Sequence, residues 1–153
     1  MARFVQLCVA SALTLCIAGG CSGKRPGDIG MGPSGLKGCP KSPNCVSSAA
    51  EDRRHAVEPF RTKGDPGTGW TLVRKEIEST PGWTIVTATD TYIHAECKSR
   101  IFRFVDDLEL YLDVSHGTIS VRSASRIGYS DFGANRRRVE LLRRTLRKKQ
   151  IIE

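Results

Sequence analysis

Five side chains in the middle of this chain could move protons if they met: His94, Glu96, Glu109, Tyr111 and Arg122. A histidine and two carboxylates can act as acid and base, and an arginine can hold an anionic substrate. All five occupy the polar places of alternating runs. Tyr92, His94 and Glu96 alternate with Ile93, Ala95 and Cys97; Asp107, Glu109 and Tyr111 with Leu108, Leu110 and Leu112; Ser120 and Arg122 with Ile119 and Val121. Successive side chains on a strand point to opposite faces, so neighbouring strands in register gather the five on one face. That face is either an acid–base site, a platform for a polar ligand, or the wet side of a half-buried sheet laced with cross-strand charge pairs. A slip of one residue in register would scatter the set.

A second cluster lies in RSASRIGYSDFGANRRR, residues 122–138. Arg122, Ser123, Ser125, Arg126, Ser130, Asp131, Asn135 and Arg136 combine guanidinium forks, hydroxyls and a glycine-containing turn that leads into a helix N-terminus. Such groups hold anions. The same residues can instead clasp the fold, with Asp131 capping the helix and Asn135 tying down the loop. Motifs of nucleophilic, zinc or P-loop chemistry are missing from the sequence. The three histidines, His55, His94 and His116, lack metal-ligand spacing and are expected on strand or loop surfaces. Neither a metal nor another cofactor is expected. Cys97 follows His94 by three residues, so on a strand the two face apart, and no dyad forms within it.

The elements that must position these residues follow from periodicity. Trp70, Val73 and Ile77 mark one face of a helix over 69–79, with Thr68 as its cap and Pro81-Gly82 as its end. Strands are predicted at 83–90, 91–99, 102–114 and 118–125, joined by short turns. Val139, Leu142 and Leu146 stripe a helix over 134–150, capped by Ser130 or Asp131. Residues 39–52 and 53–68 read as loops. The predicted fold is α+β, in the order α-β-β-β-β-α. It is a two-layer sandwich: a four-stranded antiparallel meander with both helices on its apolar face, the polar face open.

Composition fits a single globular domain: 153 residues, 39% hydrophobic and 26% charged, which excludes a mostly disordered or multispan chain. The net charge of +8 is unevenly placed. Residues 122–153 hold ten Lys/Arg and three Asp/Glu, whereas residues 21–121 hold thirteen of each. The last helix can therefore face anionic lipid, an acidic partner or simply water.

The first twenty residues read as an export signal: Arg3, an apolar run from Phe4 to Ala18, then Ala18-Gly19-Gly20 before Cys21. The run is shorter than the roughly 20 residues of a spanning helix. Cys21 after Ala-Gly-Gly resembles the lipobox of bacterial lipoproteins, with Ala18 where leucine is usual. The resemblance implies cleavage before Cys21, its lipidation, and stable attachment through two or more acyl chains. Ser22 then implies sorting to the outer membrane of a Gram-negative envelope, with the protein facing the periplasm. Export excludes nucleic acid as a partner. Residues 21–38, with six glycines and two prolines, read as a flexible linker ahead of a domain over 39–153. Processing leaves Cys39, Cys45 and Cys97 as thiols in an oxidising compartment. Cys39–Cys45 closes a short loop and is the first choice of bridge; Cys97 with either would staple the N-terminal arm to the sheet instead.

CPKSPNCVSS (39–48), YIHAE (92–96), DDLEL (106–110) and VRSASRIGYSDFGANRRRVELL (121–142) resemble the bacterial and plastid family known as domain of unknown function 1499. The likeness spans about residues 39–148. It implies one shared domain and, in many members, export or a lipid anchor. It implies no activity and no catalytic residues. Cys97 stands outside the family pattern, which implies the Cys39–Cys45 pair. Taken together, the sequence predicts a lipid-anchored, non-enzymatic envelope protein that binds an envelope partner or anionic ligand through residues 122–138 and the basic helix. The other reading is an enzyme using the polar sheet face on an envelope substrate.

Overall fold

The computed structural model describes residues 23–33 and 35–153. The signal over 1–20 and Cys21 lie outside the described residues. Eight strands and two helices follow in order: β1 (Met31–Gly32), β2 (Gly35–Leu36), β3 (Cys45–Ser47), β4 (Phe60–Arg61), α1 (Pro66–Ser79), β5 (Trp83–Ala88), β6 (Tyr92–Lys98), β7 (Val105–Asp113), β8 (Thr118–Ser125) and α2 (Ala134–Lys148). β5 to β8 form the antiparallel meander that the alternation predicts. The sheet is larger than four strands, however. β3 and β4 both pair antiparallel with β8 and make it six-stranded. Both come from stretches read as loops; runs of two and three residues are too short to show a period.

The apolar face carries the core. Ile93, Leu108, Leu110, Ile119 and Val121 pack against Trp70, Val73 and Ile77 of α1 and Val139, Leu142 and Leu146 of α2. Phe60 and the C-terminal Ile151 and Ile152 join them. α1 begins a turn earlier than its apolar stripe. Asp65, not Thr68, is its N-cap and accepts from the Thr68 amide at 2.7 Å, with Pro66 at the first helical position. At α2 the N-cap position belongs to Gly133, whose φ of 78° suits glycine. Asp131 still serves this end, accepting from the amides of Gly133 and Asn135. The Cys39–Cys45 disulfide is formed and Cys97 is a buried free thiol in the core.

The polar face is not open. Residues 23–38, expected as a free spacer, lie across it as a strap with the small β1–β2 hairpin, and Leu36 is buried. Arg25, Asp28, Gly30 and Gly38 all bond to side chains of the sheet. Among the described residues, no helix is long and apolar enough to cross a membrane.

Candidate functional site

Register brings most of the proton-chemistry candidates together. His94 pairs with Glu109, which pairs with Arg122; Glu96 pairs with Asp107, and Tyr92 with Tyr111, which pairs with Ser120. Partners directly opposite share a face, so the alternation reads the face correctly. Its solvation is the surprise. Relative exposure is 2% for His94, 0% for Glu109 and 2% for Arg122. Tyr111 and Ser120 are half-buried.

These groups form two sets of ion pairs, one around Glu109 and one around Asp107. Arg122 donates to Glu109 Oε2 at 2.8 Å and to Asp28 of the strap at 2.8 Å. Tyr92 donates its phenol to Glu109 Oε1 at 2.8 Å, and the Gly30 amide donates to the same oxygen at 2.7 Å. Arg126 forks onto both oxygens of Asp107, at 2.8 and 2.6 Å, and reaches Glu96 at 2.7 Å. His94 Nε2 donates to Asp107 Oδ1 at 2.8 Å. Arg25 of the strap closes the outer end on Glu96. Burial opposes ionisation of Asp107, but the Arg126 guanidinium and the His94 ring outweigh it and hold its carboxyl below the ordinary range. Arg126, then Arg25, lower Glu96 in the same way. Burial and the neighbouring Glu109 carboxylate raise the Tyr92 phenol. Each acid is thus spoken for by a cation, and both Glu109 oxygens accept hydrogen bonds.

The second cluster divides between the two faces of the sheet. Arg122 and Arg126 belong to the ion network just described. Ser123, Ser125, Asp131 and Asn135 lie on the helix side. Asn135 is 0% exposed and accepts from Ser123 at 2.7 Å. Its amide nitrogen is shared by Asn44 O, Ser125 Oγ and Asp131 Oδ2. Arg138 ties Ser123 and Asn135 to Asp106. Arg136 donates to the carbonyls of Ala56 and Arg54, both at 2.8 Å. Arg143 bonds the carbonyls of Pro59 and Glu58 and stacks on Phe60. Three arginines of the basic helix are therefore turned inward, as a frame.

Two of the three histidines also depart from the expected surface positions. His55 is buried, held by Asp52 and by Ser42 O, like His94 on the sheet. His116 is exposed beside Asp113. Burial pushes the Cys97 thiol up to about 12, and it faces away from His94 as expected. Among the described residues, no three of His, Cys, Asp and Glu are grouped to hold a metal ion, and no buried side-chain nitrogen or oxygen lacks a partner.

An accessible, apolar-walled concavity lies elsewhere, at the end of the sheet where β6 passes to β7 and β8 to α2. A cleft of about 530 Å³ opens between loops 99–104 and 126–133. Phe102, Phe104, Ile127 and Phe132 form its apolar walls, with Ser125, Ser130, Asp131 and Arg137 at its polar edge. Phe102 and Phe104 stack at 5.7 Å. Ser125, Ser130 and Asp131 of the second cluster line it, but its apolar walls have no role in the sequence reading, because 102–104 falls in a predicted strand and Phe132 in a turn. The available signal was a set of large hydrophobics among Arg, Gly and Ser that obeys no period.

A family model described as "Protein of unknown function (DUF1499)" matches residues 35–146. No curated protein and no solved structure matches the chain.

Proposed function

The chain belongs to the DUF1499 family, whose description names no activity, and we propose from its residues that it is a lipid-anchored envelope protein with a non-enzymatic binding domain. One observation carries the binding reading. The groups suited to proton chemistry are buried and mutually paired, whereas the cleft between the two loops is apolar-walled, with the exposed Arg137 at its edge. Its volume falls in the range of small-ligand sites. Ser125, Ser130 and Arg137 supply the polar contacts, and the phenylalanines supply area. An anionic ligand with an apolar body, or an envelope partner presenting one, fits both. Arg122, Arg126 and Arg136 then hold the frame rather than the ligand. The anchor rests on the lipobox-like Ala-Gly-Gly-Cys at 18–21, and Ser22 supports sorting to the outer membrane where the envelope is Gram-negative.

The test is the intact mass of the protein taken from the envelope. A denatured mass of a chain starting at Cys21, with acyl chains added and two hydrogens lost to the disulfide, is expected. A native mass above it, lost in a Phe132→Ser, Arg137→Ala double variant, supports the cleft. A full-length unacylated mass overturns the anchor. Turnover of an envelope substrate that stops in His94→Ala while the fold persists overturns the binding reading in favour of an enzyme.

A further inference from the structure

We infer that the loop end of the molecule, residues 99–104 with 126–133, docks on an anionic lipid bilayer. The inference rests on the anchored reading above and says which surface the anchor presents. Phe132 is 88% exposed, Ile101 83%, Tyr129 73% and Phe102 69%, and all four belong to these two loops. Other exposed hydrophobics, such as Leu72, Val86, Val114 and Leu141, sit singly on separate elements. Contiguous apolar surface of this kind on a small soluble domain marks an interaction site.

Charge selects the partner. Lys98, Arg100 and Arg103 are exposed around the first loop without an acid among them, and Arg137 is exposed just after the second. In the second loop Asp131 is spent on the α2 amides and Arg126 on Asp107. What faces outward is aromatic and cationic, the combination that seats a protein at an anionic lipid interface. On α2, Arg136, Arg138 and Arg143 turn toward internal acceptors, and the exposed Arg144, Arg147 and Lys148 sit in its C-terminal half, away from the two loops.

The chain's entry point orients the molecule. Gly23 sits against the second loop with φ of 59°; a β-carbon there would lie 2.8 Å from Ile127 Cγ1 and 2.9 Å from Arg126 Cβ. Cys21 is two residues upstream, which is about 7 Å of extended chain at most. Acyl chains on Cys21 therefore bring this end, and no other, to the bilayer. The β7–β8 turn lies at the opposite end of a nine-residue strand, about 30 Å away.

The experiment uses full-length protein, processed in its host and reconstituted into phosphatidylcholine vesicles with and without phosphatidylglycerol. Phe132→Trp and Val114→Trp are compared with the unsubstituted protein, using lipids brominated along the acyl chains. Both positions are exposed, so neither change touches the core. Added emission from position 132 is expected to shift to shorter wavelength and to be quenched, more strongly with phosphatidylglycerol; position 114 is expected to do neither. Equal behaviour at 132 and 114 in protein whose mass carries acyl chains overturns the docking and leaves the anchor standing. An unacylated mass overturns the anchored reading itself. A tryptophan at 132 shielded by a copurifying polypeptide and untouched by bromine makes the partner a protein and overturns the lipid assignment.

Discussion

The polar sheet face and the loop end invert the usual placing of side chains. On the face, Arg122, Glu109, Asp107 and His94 are withdrawn from water. At the loop end, Phe132, Ile101, Tyr129 and Phe102 stand in it. The difference lies in what each group has for company. Every charge on the face has a counter-charge or an amide within hydrogen-bond reach, and a buried ion is tolerated only on that condition. The exposed hydrophobics have little of their own chain to cover them. A complete network is a frame, and an incomplete one is a surface waiting for something. The residues that look most chemical therefore serve the fold, and those that look most bland serve the outside.

The largest way to break this contrast is Arg122→Ala. It strands Glu109 and frees Asp28, and is expected to cost about 3–5 kcal/mol of unfolding free energy, read from urea denaturation. If the strap opened freely to water, the loss would shrink toward that of a surface ion pair. Next is the disulfide, which ties the end of the strap to the start of β3 across a separation of six residues. Chain entropy for so short a loop predicts a loss of about 2 kcal/mol in Cys39→Ser. Cys97 is expected to resist alkylation until the protein unfolds, since burial holds its thiol protonated.

Acid sharpens the picture further. Asp107 and Glu96 have folded-state pKa values below their unfolded ones. Their contribution is therefore present above the ordinary carboxylate range of about 4 and lost as pH falls through it. The urea midpoint should drop between about pH 5 and pH 2. The drop should be shallower in Arg126→Gln, which removes the main cause of both shifts. The smallest effect belongs to the loop end: Phe132→Ser is expected to change stability by less than about 0.5 kcal/mol. A large loss there would mean that the aromatics pack on the domain after all.

How much of this could be read in advance depended on period. The alternation in β6, β7 and β8 fixed both faces and set His94, Glu109 and Arg122 side by side, because antiparallel pairing leaves little freedom in register. It could not say that the face is dry. The cover is a glycine- and proline-rich segment whose contacts are individual bonds from Asp28, Gly30 and Gly38, with no periodic signature. β3 and β4 were invisible for their length. α1 was placed by Trp70, Val73 and Ile77, but its first turn lay in the polar, proline-containing stretch 53–68 that reads as loop, although Asp65-Pro66 is a sound N-terminal signal. The arginines of 122–138 were seen as a group. In the fold, Arg122 and Arg126 leave on one side of β8 and Arg136 on α2 grips the carbonyls of Ala56 and Arg54, a division that no local spacing encodes.

The most direct test of the contrast is hydrogen exchange on the acylated full-length protein, with and without phosphatidylglycerol vesicles. Slower exchange in residues 99–104 and 126–133, with residues 23–38 unchanged, is the predicted result. Faster exchange in 23–38 on vesicles, with the two loops unaffected, would show a strap that lifts and a polar face that works, and would contradict the account.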